Sequence, residues 1–117
     1  MPLQEVYMGL GSAVYALAKS DGQLQPAETE TVKRILTQHT HGEIAVSAYA
    51  LKEAYNVPVE EAYAFAMRRF QANGKELNES LKKEFVAILE EVAQSHDDVS
   101  RKEEEFIRRF RRDLRRL

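Results

Sequence analysis

An all-α fold, a single compact domain of about six helices with two similar helix-loop-helix hairpins flanking a central helix pair, is predicted by three features of the chain. Apolar residues recur at helical spacing throughout, and no stretch alternates with a period of two. Turn-forming residues, Gly, Pro and Asn among them, break that pattern into separate runs. Third, the chain repeats itself: Val6, Leu10, Ala13, Val14 and Leu17 correspond at one constant offset to Leu81, Phe85, Ile88, Leu89 and Val92. The register holds across the following loop through Ser20/Ser95, Leu24/Val99, Glu28/Glu103, Val32/Ile107, Arg34/Arg109 and Ile35/Phe110. Unrelated amphipathic helices share a stripe, but not a loop length and the residues beyond it.

The first helix is predicted from about Gln4 to Lys19 and stops at Ser20-Asp21-Gly22-Gln23, where Gly22 offers a positive φ. Pro26 suits a first helical position, and the second helix runs to about His39, ended by His41-Gly42. The third, about Glu43 to Tyr55, and the fourth, about Pro58 to Ala72, are separated only by Asn56-Val57. Both are rich in alanine and apolar on more than one face, which implies burial on several sides. They are expected either at the centre of the domain or as half of a homodimer interface. Asn73-Gly74 closes the fourth helix. The fifth, about Asn78 to Ser95, carries the second copy of the stripe. Ser100-Arg101-Lys102-Glu103 is a capping box that opens the sixth.

With 117 residues the chain, 1–117, suits one domain with a real core, and 44% hydrophobic with 31% charged content is globular. The absence of cysteine excludes disulfides, thiolate metal sites and a cysteine nucleophile, and favours a reducing compartment, with the cytoplasm expected. The start lacks a signal-peptide pattern and no segment has the length to span a bilayer, although peripheral membrane association stays open. A net charge of −2 makes no demand for nucleic acid.

The segment Ala18-Lys19-Ser20-Asp21-Gly22-Gln23-Leu24-Gln25-Pro26-Ala27-Glu28 resembles the repeated signature of the tellurite-resistance TerB-like family, an all-helical bacterial fold. That pattern is Ala-Asp-Gly after a small residue, then an aliphatic residue two positions on and a Glu four further. Ser20 stands where alanine is usual. In the second copy, His96 takes the aspartate position and Asp97 the glycine position, while Asp98, Val99 and Glu103 keep the acidity and spacing. The resemblance implies a non-catalytic module of stress response, tied to metal or oxyanion stress and engaging a protein partner.

Carboxylates at Asp21, Glu28, Asp97, Asp98 and Glu103, with His96, make the two loops candidates for a hard divalent cation, Ca²⁺ or Mg²⁺. An EF-hand is excluded: with Gly22 at its invariant glycine, the first and third ligand positions fall on Leu17 and Lys19. A plainer role competes. Glu28 and Glu103 stand at the third position of a helix, where a carboxylate caps amides without any ligand.

The end of the sixth helix carries Arg108, Arg109, Arg111, Arg112, Arg115 and Arg116, opposed only by Asp113. On a helical wheel, Phe106, Ile107, Leu114 and Leu117 share the face of Phe110, and Arg108, Arg112 and Arg115 point away. That outer face is the alternative working surface, an adaptor for lipid headgroups, an acidic protein or nucleic acid. Nucleic acid is disfavoured because no exposed aromatics interleave with the arginines. Against a binding role, Glu104–Arg108 and Glu105–Arg109 are spaced as intrahelical pairs. His39 and His41 point apart on a helix and do not suit one metal. The tyrosines, Tyr7, Tyr15, Tyr49, Tyr55 and Tyr63, are expected at core edges with the hydroxyl at the rim. No nucleophile elbow or phosphate loop is present, so no enzyme activity is expected.

Overall fold

The computed structural model describes residues 2–22, 24–95 and 98–117. These residues form six helices and no strand: α1 (Pro2–Lys19), α2 (Pro26–Thr37), α3 (Gly42–Ala54), α4 (Val59–Ala72), α5 (Glu79–Gln94) and α6 (Arg101–Arg115). None of them is long and apolar enough to cross a membrane.

The small residues of α1 decide where the centre lies. Gly9, Gly11, Ser12, Ala13, Ala16 and Ala18 are all buried, together with Val6, Tyr7, Leu10, Val14, Tyr15 and Leu17, so α1 is covered nearly all round. Both α3 and α4 lie close on it. At Gly11 a Cβ would stand 2.1 Å from the Ala45 carbonyl oxygen, so α1 and α3 touch backbone to backbone. On the other side the Ser12 hydroxyl donates to the Ala62 carbonyl at 2.8 Å and ties α1 to α4. The expectation that the third and fourth helices form the central pair is corrected here. Alanine at Ala45, Ala62 and Ala66 marks close approach, as read, but the approach is to α1. Each helix buries a single face, Ala45, Ala48 and Tyr49 on α3 and Ala62, Tyr63, Ala66 and Phe70 on α4. Leu51 stays 56% exposed.

The repeat survives in its burial pattern and turn bonds, although α5 packs on α6 whereas α2 packs on α3 and α5 rather than on α1. All five apolar stripe residues of α1 are buried; of their α5 counterparts, Phe85, Ile88, Leu89 and Val92 are buried and Leu81 is half-buried. Ser20 and Ser95, equivalent positions, each return their hydroxyl to an equivalent carbonyl, Leu17 and Val92, at 2.6 Å. The partner helices also match, with Val32 and Ile35 on α2 and Ile107 and Phe110 on α6 all buried. Rings join the parts: Phe70 of α4 packs on Phe85 of α5 and Phe110 of α6, and Phe85 meets the edge of Tyr7.

The turns use the expected residues with one change. Gly22 has φ 127, a region closed to most side chains, and Asn56 takes a left-handed φ of 49 between α3 and α4. Between α2 and α3 it is His41, at φ 59, that adopts the left-handed conformation, its ring tilted against that of Tyr7 with centroids 5.1 Å apart. Leu117, read onto the inner face of the last helix, lies past the end of α6 and is 41% exposed.

Candidate functional site

The turn after α1 is held by the last side chain of that helix. Lys19 donates to the Tyr15 hydroxyl at 3.1 Å, to the Val57 carbonyl at 3.3 Å and to the Asn56 side-chain oxygen. Tyr15 in turn donates to the same Val57 carbonyl at 2.7 Å. The α1–α2 turn is thereby strapped to the α3–α4 turn, and Asn56 can serve because its left-handed backbone brings its amide round to the lysine.

Above this strap opens a cleft of about 640 Å³, lined by Ser20, Gly22, Leu24, Glu53, Asn56 and Val59, with Lys102 closing it from the first turn of α6. A second hollow of about 320 Å³ continues it past Ser20, Val59 and Lys102 to Glu60 and Arg109. The first acidic turn and the start of α6 therefore stand at one end of the molecule. At the cleft's inner wall Glu53 accepts from the Thr29 hydroxyl at 2.6 Å, which links α3 to α2.

The acidic residues named from the sequence are placed as follows. Asp21 and Asp98 are exposed, and Glu28 and Glu103 half-buried; His96 and Asp97 lie outside the described residues. Glu103 caps, as its spacing predicted: its carboxylate accepts from the Ser100 amide at 3.0 Å, and the Ser100 hydroxyl accepts from the Glu103 amide at 3.1 Å. At the equivalent place in the first repeat, Gln25 offers no side-chain cap, and the Glu28 carboxylate makes no hydrogen bond or ion pair among the described residues. Among the described residues no three carboxylates or histidines stand together to hold a metal ion.

The arginines of α6 also differ from their intrahelical expectation. Neither Glu104–Arg108 nor Glu105–Arg109 forms an ion pair within 4.0 Å. Arg109 instead grips Glu60 of α4 with two nitrogens, both at 2.8 Å, and lies 3.9 Å over the Tyr63 ring. That grip holds the Glu60 carboxyl below its ordinary range and raises Arg109. Arg111 crosses to Glu90 of α5. A planar fork on a carboxylate of a neighbouring helix is worth more than an exposed pair along one helix, which contributes only about 0.2–0.5 kcal/mol. Of the three residues assigned to the outer face, all are exposed: Arg112 sits 3.6 Å from Asp113, while Arg108 and Arg115 border the groove between α5 and α6.

The cleft residues Lys19, Glu53, Asn56 and Lys102 were not singled out by sequence reasoning. Lys102 lies inside the recognised capping box, Lys19 inside the family-like segment and Asn56 in a predicted turn, but none of these signals says that they meet; they do so because α1, α3, α4 and α6 converge at that end.

A family model described as tellurite resistance protein TerB matches residues 8–115. No curated protein matches, and no solved structure does.

Proposed function

From the chain's membership of the tellurite-resistance TerB family, whose model spans residues 8–115, we propose a non-catalytic module that engages a protein partner at the end where its first acidic turn meets the start of α6. The observation that carries this reading is the cleft joining Ser20 and Gly22 to Glu53, Asn56 and Lys102. Its lining mixes an acid, two cations and an amide, a set suited to orienting a polar chain rather than to activating a substrate. The strap through Lys19, Tyr15 and Val57 keeps two of the walls in place before anything binds, which lowers the ordering cost of association.

A divalent cation belongs to the same reading only as a ligand shared with the partner or with His96 and Asp97. Asp21, Glu28, Asp98 and Glu103 do not supply enough oxygens at one point.

Photo-crosslinking in living cells tests the proposal. A photoreactive side chain at Ser20 or Lys102 is expected to give the same protein adduct, one lost when Lys102→Glu is introduced beside the Ser20 probe. A probe at exposed Lys75 should give none. An identical adduct from Lys75, or none from the cleft, refutes the reading. Calorimetric titration with Ca²⁺ and Mg²⁺ decides the cation: heat and a higher melting temperature that vanish in Asp21→Asn support it, and no heat removes it.

A further inference from the structure

α5 and α6 lie side by side and leave a groove between their outer faces, crossed by the Arg111–Glu90 ion pair. The two halves differ in charge. Towards the α5–α6 loop, a hollow of about 350 Å³ sets Glu90 and Glu104 against Arg108 and Arg111. The other half, about 340 Å³, holds Lys82, Lys83, Arg111 and Arg115 around Val86 and Leu114, with Glu79 as its one carboxylate.

Part of that excess is available. Lys82 is not, since its side chain is only 13% exposed and is drawn to Glu79 at 3.3 Å and to the Leu117 main-chain oxygen at 3.4 Å. Lys83 and Arg115 are exposed, and neither has a carboxylate within 4.0 Å among the described residues. Val86 is half-buried and Leu114 is 2% exposed, so the floor is apolar, shallow and closed by the core beneath it.

We propose that this half-groove seats an acidic segment of a protein partner, with one aliphatic side chain on Val86 and Leu114 and flanking carboxylates on Lys83 and Arg115. The charge complementarity fixes the sign of the occupant, and the floor fixes its shape. A bare phosphate has no use for the apolar floor, and the largely buried donor here, Lys82, is already engaged by Glu79 and the Leu117 main-chain oxygen. An acyl chain needs depth, and Leu114 already closes the groove one side chain down. The balanced half beyond the Arg111–Glu90 bridge sets the limit of the acidic stretch, because Glu90 and Glu104 repel its continuation. The surface is separate from the cleft at the loop end, and the two readings stand or fall independently.

The test uses the full chain and a fluorescent synthetic peptide carrying a leucine between glutamates, read by anisotropy at physiological salt. Binding is expected, and the double variant Lys83→Glu with Arg115→Glu, checked for unchanged helix content, is expected to weaken it by about ten-fold or more. Val86→Ser should weaken it several-fold, and Lys33→Glu with Arg34→Glu on α2 should not. Undiminished binding by the double variant overturns the proposal. So does equal affinity for a peptide with serine in place of leucine, since charge alone would then explain the contact. Displacement by millimolar inorganic phosphate, or preference for vesicles rich in phosphatidylglycerol, assigns the groove to a simple anion or a lipid surface and overturns it likewise.

Discussion

Tyr49 is 0% exposed, and its hydroxyl has no hydrogen-bond partner among the described residues. A buried hydroxyl left in that state costs about 1–3 kcal/mol. Burial, and after it the neighbouring Glu53 and Glu28 carboxylates, push its ionisation up to about 12 from an ordinary value of 10.0. Tyr63 moves the same way through burial and its 2.5 Å bond to Asp113, and Tyr7 through burial and Glu84. Because the folded value lies above the unfolded one, this contribution to stability is complete below pH 10 and is lost as pH rises towards 12. Tyr49→Phe is therefore expected to leave stability at neutral pH unchanged or slightly higher, and to flatten its fall over that alkaline window. Urea midpoints across a pH series measure this, and an unaltered alkaline slope would refute it. The five tyrosines read alike in the sequence because helical spacing locates the ring and says nothing of the hydroxyl. Tyr15 finds a partner in the α3–α4 turn and Tyr63 one on α6, Tyr49 finds none, and Tyr55 is 76% exposed.

The two hairpins share a stripe but not a cap. At α6, Ser100 and Glu103 satisfy one another's amides; at α2, Pro26 removes a donor that needs no partner there, and Gln25 caps nothing. Ser100→Ala should thus cost about 0.5–2 kcal/mol and fray the start of α6, while Gln25→Ala leaves the melting temperature where it was. Equal losses from the two would show that the cap does not distinguish the copies. The Ser100 box was legible because it is written in four consecutive residues. The partners of Arg109 and Arg111 were not, because Glu60 and Glu90 lie on other helices and the alternative within α6 was equally well spaced.

At the scale of the molecule, α1 is the axis on which α3, α4, α5 and α6 rest, while α2 lies on α3 and α5, and glycine makes the central packing possible. The α1–α3 contact at Gly11 runs against the Ala45 carbonyl, main chain that cannot swing aside as a side chain tip would. Gly11→Ala is expected to destabilise the fold by about 1–3 kcal/mol, despite the gain of nearly 1 kcal/mol that alanine ordinarily brings inside a helix. A chemical denaturation curve shifted to lower urea supports this, and a stabilised variant would mean that α3 can slide away. The two helices that the sequence places at the centre, the third and fourth, are alanine-rich. Alanine and glycine both announce close approach, and neither states which helix approaches.

The chain by itself determined six helices, their limits to within a residue or two, the repeated stripe and the family signature in the first turn. All of these depend on neighbours a few positions apart or on a fixed offset along the chain. Tertiary structure decided the rest: that α1 is the hub, that Lys19 straps two turns into one wall, and that Lys83 and Arg115 converge over Val86 and Leu114. Those arrangements follow from the angles and depths at which helices cross. Crossing is set by the simultaneous packing of all six elements, and no local stretch of sequence records it.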